Sequence, residues 1–439
     1  MSKKGTIGIL MIGLLCVMIF GVNPIERAQG YLHHFLEREY DQAAQYHDKQ
    51  MQQAFPIVVM AQSGLQIWQQ FGNPIRLVQI DTKLVQTNTI VSLQMEMDRG
   101  WVEFIVSVAE SGMVAGFFLN VIPDPERKLP EYIDSERIRD SVLTLGEEPW
   151  TFRVGLTLPL DAESFPVLII LQGSGTHDVD GTIGPNKIYR DLAYGLATMG
   201  IGVVRMEKRY YGKSQELYET IMPSIEDEYT NDALYTIEWV RSLPGARQIV
   251  LGGHSLGGMV APKIASMSHH VDGIVLLAST TRRLIEVIKD QNQAIFDGLE
   301  PLTPELKALK DQVFAFFDRV VSHEASPEEM LDTIPVSYLY ELDGYDPLYW
   351  LEKTDCPVLV LHAEDDFQVT DKDYLPLKEA FYGRESFSFV SFPGLSHLFM
   401  DSKGMRDLES MDSVMELYSI PAHVDEGVIR VLVEWILAL

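Results

Sequence analysis

Cysteine is almost missing from this sequence, with two in 439 residues. Cys16 stands in an apolar run near the N-terminus and Cys356 just before a predicted buried strand. No disulfide between them is expected, and no Cys/His cluster has zinc spacing. Basic residues are scarce beside acidic ones: 35 Lys and Arg against 63 Asp and Glu leave a net charge of −28. Binding to phosphate backbones needs clustered Lys and Arg, so the balance argues against nucleic acid as a partner. It equally disfavours a purely electrostatic grip on anionic lipid. Low-complexity tracts and internal repeats are lacking as well, which leaves a globular composition and a length suited to two or three domains.

What is present begins with an apolar stretch. Lys3 and Lys4 precede an uncharged run, "GTIGILMIGLLCVMIFGV", from Gly5 to Val22. It is about as long as a bilayer span requires and longer than most signal-peptide cores. Asn23-Pro24 follows without a small-x-small cleavage pattern, and "AQG" at Ala28 to Gly30 is a distant candidate. A leucine directly before Cys16 makes a poor lipoprotein signal. Residues 1–25 are therefore read as a membrane anchor, with a cleaved signal segment and secretion as the alternative. The lysines keep the N-terminus cytoplasmic, so the bulk of the chain is expected to be extracytoplasmic.

Two folded regions follow. From Tyr31 to about Phe71 apolar residues recur at helical steps, with Pro56 as a break. "IRLVQIDTKLVQ", "TIVSLQMEMD", "WVEFIVSVAES" and "MVAGFFLNVI" then alternate as half-buried strands do. Two helices and four antiparallel strands make a small α+β domain over 30–122, and the polar, proline-bearing stretch 123–134 reads as a linker. This region holds no catalytic constellation; His33 and His34 sit among charges. Beyond the linker, over 135–439, the pattern changes to short continuous apolar runs: "FPVLIILQGSG", "IGVVRMEK", "QIVLGGHS", "DGIVLLAST" and "CPVLVLHAEDD". Helix-like segments separate them, which points to an α/β architecture, a mostly parallel sheet covered on both faces. "SVLTLGE" and "WTFRVGLTLPL" alternate and are expected as antiparallel edge strands. Ligands of such sheets bind beyond the carboxyl ends of the strands, so chemistry is sought where each apolar run stops.

Ser255 stands at such an end, inside G-x-S-x-G formed with Gly253 and Gly257. A serine on a sharp strand-to-helix turn has a strained backbone and close neighbours, and glycine on either side removes side chains that would collide. By chance about one chain in ten of this length carries the pattern, but here it closes a buried strand and opens a helix. A serine hydroxyl needs a base, and the base an orienting carboxylate. Glu364, Asp365 and Asp366 end one later strand, and His397 follows another. Spacing alone leaves Asp365 and Asp366 equivalent and leaves His423 open as a second histidine. His269 and His270 follow a helix end and read as surface residues. An oxyanion hole needs two N–H donors: Leu256, directly after the serine, and Ser174, in the glycine-bearing loop "LQGSGTHDVDG". His177, Asp178 and Asp180 of that loop either shape the pocket mouth or are solvated.

"GHSLGG" (253–258), "LVLHAEDDFQV" (359–369) and "GLSHLF" (394–399) resemble the α/β-hydrolase superfamily. "GSGTHDVDGTIGPNK" and "EKRYYGKS" are similar to a bacterial branch of esterases and serine-aminopeptidase-like hydrolases, often placed behind a small N-terminal domain. The resemblance covers about Arg137 to Leu439 and implies an α/β-hydrolase fold. It makes Ser255 the nucleophile, Asp366 the acid and His397 the base, and it matches Ser174 and Leu256 to the oxyanion donors. Ala363 departs from the pattern, which has glycine before the acid, and Glu207 replaces the aspartate of a "DKR" turn. The insertion 281–355 is expected to form a helical cap; Phe314, Phe316 and Phe317 either line an acyl pocket or pack the cap onto the sheet. The first domain resembles NTF2-like, cone-shaped domains by its order of elements, which implies a binding or dimerising role.

The expected activity is hydrolysis of a small-molecule carboxylic ester through a Ser-His-Asp triad and an acyl-enzyme, with no metal and no organic cofactor. A peptidase or amidase acting on short peptides would use the same triad. A non-catalytic cell-surface binding protein is the alternative of another class.

Overall fold

The computed structural model describes residues 23–439 except 123–127, 149, 176, 212–223, 300, 332–333 and 406–416. The expected anchor at 1–25 lies almost wholly outside the described residues. Among the described residues no helix is long and apolar enough to cross a membrane. The chain divides into two compact units, 1–124 and 125–439.

In the first unit the helical part starts earlier and is more broken than periodicity predicts. Helix α1 (Pro24–Leu36) begins where Asn23 accepts the N–H of Ile25 and proline takes the first position, which needs no N–H donor. The chain then turns through Arg38, at φ 63°, into short α2 (Tyr40–Ala43) and α3 (Lys49–Ala54, capped by Asp48). Pro56 ends that run, and α4 (Ile57–Phe71) follows. Strands β1 (Pro74–Val85), β2 (Asn88–Met97), β3 (Gly100–Val108) and β4 (Val114–Ile122) form an antiparallel sheet in sequence order. Val91, Leu93, Met95 and Met97 are buried on alternate positions of β2 and pack with Phe35, Trp68 and Phe104.

The second unit is built on eight strands: β5 (Ile138–Leu145), β6 (Phe152–Pro159), β7 (Phe165–Leu171), β8 (Gly202–Met206), β9 (Ala246–His254), β10 (Gly273–Leu277), β11 (Val358–Ala363) and β12 (Phe387–Phe392). Their spatial order is β12-β11-β10-β9-β7-β8-β6-β5. From β12 to β8 every pair is parallel; β6 pairs antiparallel with β8 and with the edge strand β5. All seven residues of β7 are buried, because both faces are covered. Val167, Ile169 and Leu171 face the core under α6 (Asn231–Arg241) and α7 (Leu256–Met267), while Leu168 and Ile170 face α5 (Ile188–Thr198) and α13 (Glu426–Leu437). Each such side chain contributes about 1.5–3 kcal/mol by leaving water.

Four helices, α8 (Leu284–Gly298), α9 (Pro304–Val321), α10 (Val336–Asp343) and α11 (Pro347–Glu352), lie between β10 and β11; α12 (Asp371–Ala380) follows β11. The inserted helices have a small core of their own containing Ile285, Phe317, Val320, Val336 and Leu339, with Phe316 packed against it. Phe316 and Phe317 pack among the inserted helices themselves, and the ring of Phe314 lies 6.1 Å from that of Phe317.

Candidate active site

Ser255 sits on the turn between β9 and α7 with φ 55° and ψ −122°, a conformation that non-glycine residues rarely adopt. The turn is held because Ser255 N–H donates to Leu277 O at 2.8 Å on the neighbouring strand. The two glycines of the motif are steric requirements. A Cβ on Gly253 would collide with the Gly257 carbonyl, and one on Gly257 with the carbonyls of Leu171 and Gln172. Leu256 is the first residue of α7, so its N–H has no partner within the helix and opens beside the serine.

The loops after β11 and β12 bring the next two residues together. His397 Nδ1 lies 2.6 Å from Asp366 Oδ2, and both side chains are buried. Asp366 Oδ1 accepts the N–H groups of Gln368 (2.7 Å) and Val369 (3.0 Å), which fixes the carboxylate. A carboxylate at Nδ1 assigns the ring proton to that nitrogen and leaves Nε2 as the basic end. Asp365 is differently engaged: its Oδ2 accepts from Ser402 Oγ at 2.7 Å. His423, the other open candidate, pairs with Asp191 at 2.8 Å. Ser255 and His397 line one cavity of about 210 Å³, with Ser174, His177, Tyr189, Gln368 and Tyr418 among its other walls.

Ser174 reaches the site because Gly173, two residues beyond the end of β7, lets the loop come close: a Cβ there would stand 3.1 Å from Ser255 Cβ. His177 joins the cavity wall, and burial, then Lys208, lowers its pKa below the ordinary histidine range. Asp178 and Asp180 act inside the loop: Asp178 accepts from Thr182 N–H and Oγ1 (2.9 and 2.8 Å), and Asp180 pairs with Lys187 and Arg205.

A second cavity, of about 370 Å³, also opens on Ser174, Ser255, Leu256 and Gln368. Its walls are largely the inserted helices, through Leu284, Val287, Ile288, Tyr338, Leu339 and Leu342. Glu228 is the one carboxylate among the described residues lining either cavity. It is already matched: Lys208 Nζ lies 2.7 Å from Oε1, and the Tyr338 hydroxyl donates to Oε2. Among the described residues no group of three or more His, Cys, Asp or Glu is placed to hold a metal ion.

The motifs assign no role to several residues around the site. Gln368 lines both cavities and donates to the Tyr418 hydroxyl at 2.5 Å. Tyr189, Tyr229 and His254 surround Gly173 and His397 in a buried hydrogen-bonded set. His254 directly precedes the nucleophile, and its partners lie up to 143 positions away.

Residues 179–402 match the family described as "Serine aminopeptidase, S33". The chain is 29% identical over 425 residues to esterase EstD of Thermotoga maritima, covering 96% of this chain and 97% of that protein. It is 25% identical over 290 residues to lysophosphatidylserine lipase ABHD12 of Xenopus tropicalis, covering 60% of this chain and 64% of the lipase. Among solved structures, Est1E from Butyrivibrio proteoclasticus aligns with 15% identity and a TM-score of 0.44, over 68% of this chain and 99% of that one.

Proposed function

Because the chain belongs to the serine aminopeptidase S33 family of α/β-hydrolases, we propose that it hydrolyses carboxylic esters through Ser255, His397 and Asp366. The observation that carries the reading is the buried His397–Asp366 pair at 2.6 Å, whose histidine lines the same cavity as Ser255. His397 Nε2 takes the hydroxyl proton as Ser255 Oγ attacks the ester carbonyl. The resulting oxyanion is received by the N–H groups of Leu256 and Ser174. Asp366 keeps the proton on Nδ1 and stabilises the imidazolium. The alcohol departs with the proton from His397, and water activated by the same nitrogen releases the acid.

The leaving group must depart within reach of His397, so the alcohol occupies the 210 Å³ cavity and the acyl group the 370 Å³ cavity under the inserted helices. Esters are favoured over aminoacyl amides by the state of Glu228. An α-ammonium group would need a carboxylate to receive it, and this one is already paired with Lys208 and Tyr338. The relatives' printed names, an esterase and a lysophospholipid lipase, agree with this choice. The apolar run at Gly5–Val22 would hold the enzyme at a membrane with its bulk extracytoplasmic, and the NTF2-like first unit would bind a partner or a second copy.

The test is Ser255→Ala. Hydrolysis of p-nitrophenyl butyrate and labelling by a fluorophosphonate are both expected to disappear while the circular dichroism spectrum is unchanged. Turnover like that of the unaltered chain in a folded Ser255→Ala protein would end the proposal.

A further inference from the structure

We propose that Tyr229 is a positioning residue that aims the N–H of Ser174 at the developing oxyanion, with Tyr189 and His254 holding the same loop from its other side. The proposal rests on Ser255 being the nucleophile.

The argument starts from one peptide group. The Tyr229 hydroxyl donates to Gly173 O at 3.0 Å, and both partners are buried. That carbonyl belongs to the same planar peptide as the N–H of Ser174, and in a trans peptide the two point in opposite directions. Fixing Gly173 O on one side therefore fixes where Ser174 N–H points on the other. Among the described residues no acceptor takes that N–H. Ser174 lines the same cavity as Ser255, and the Gly173 backbone approaches Ser255 closely enough that a Cβ there would stand 3.1 Å from the serine Cβ.

The preceding peptide is fixed as well. Gly173 N–H donates to Tyr189 Oη at 3.0 Å. Tyr189 Oη lies 3.2 Å from His254 Nδ1, and His254 Nε2 lies 2.9 Å from His397 O. Only one proton arrangement satisfies this chain. A carbonyl cannot donate, so His254 Nε2 carries the proton, and Nδ1 accepts from the Tyr189 hydroxyl. The hydroxyl in turn accepts from Gly173. Burial, and next the neighbouring His397, hold His254 well below the ordinary histidine range, so the neutral ring this arrangement requires is the stable one. Burial likewise keeps the Tyr229 phenol protonated and able to donate. The oxyanion loop, the nucleophile strand and the base loop are thereby joined through one neutral imidazole and two phenols.

Tyr229 is itself anchored. It lies in a single π-helical turn, Glu226–Thr230, ahead of α6, with Lys208 Nζ 4.5 Å from its ring centre. Glu228 of the same turn pairs with that lysine. Turns of this kind often mark functional sites because they re-aim a side chain out of helical register.

The experiment compares the full chain with Tyr229→Phe and Tyr189→Phe, with rates normalised to titratable serine. It reads kcat and KM for p-nitrophenyl butyrate and the inhibition constant of an alkyl trifluoromethyl ketone, which binds as a tetrahedral oxyanion adduct. Tyr229→Phe is expected to lower kcat about 10- to 100-fold, a part of the loss on deleting an oxyanion donor outright. KM should stay within about twofold, because the ground-state ester does not draw on that donor. The ketone should weaken by the same factor as kcat. Tyr189→Phe should show the same kcat-only signature and decides the matter if Tyr229→Phe does not fold. Unchanged kcat per titrated site, or a loss confined to KM, in an enzyme whose activity requires Ser255 would overturn the assignment. Activity that survives Ser255→Ala would instead sink the functional reading, and this proposal with it.

Discussion

Asp365 and Asp366 are neighbours in sequence with different work to do. One accepts from Ser402 and closes a loop; the other holds His397. They take different partners, and which one meets the histidine depends on a loop that places His397, 31 residues beyond Asp366. Residue type and spacing therefore carry the chemistry but not the choice, which the family resemblance alone supplied. His254 makes a prediction at the same scale. Its folded-state pKa is depressed by burial and by His397. As pH falls through about 6.5, the unfolded chain takes up a proton that the folded chain refuses. The unfolded state then binds more protons, so stability present above about pH 6.5 is lost on acidification, by up to about 1.4 kcal/mol per pH unit. Urea unfolding at pH 7.5 and pH 5.5 should show this loss in the unaltered chain and a smaller one in His254→Asn. An equal loss in both would remove His254 as its source.

The nucleophile turn is the element on which the site depends. Gly257 is surrounded by backbone rather than by side chains that could swing away: a Cβ there meets Gln172 O at 2.5 Å. Gly257→Ala is expected to cost about 1–3 kcal/mol through this overpacking, seen as a lower urea midpoint with unchanged slope, and to remove most activity. A midpoint equal to that of the parent would mean that the turn relaxes freely. The parallel strands were legible because both their faces are buried and each reads as an apolar run; β7 and β10 are examples. The first helices were less so. Periodicity from Tyr31 onward missed the start at Pro24, although Asn23-Pro24 is a cap signature, and it ran across the left-handed Arg38. The π-turn at Glu226–Thr230 carries no local signal either, since Glu228 and Tyr229 are held by Lys208, Tyr338 and Gly173, far off in sequence.

At the scale of the whole molecule, the chain forms two compact units, each with its own hydrophobic core. The candidate chemistry lies in the second, and the match to the S33 family falls there too, over 179–402. The similarity to the Thermotoga esterase runs through both units. The net charge of −28 is compatible with a neutral substrate, because an ester meets no long-range repulsion from an acidic surface. The central claim is that catalysis passes through a covalent ester on Ser255. Quenching the full chain in acid during turnover of p-nitrophenyl butyrate, followed by peptide mass analysis, tests it most directly. The account predicts a butyryl group on the peptide containing Ser255, formed in a burst of nitrophenol of at most one equivalent. Hydrolysis at full rate with no such adduct, or with the acyl group on another residue, would contradict it.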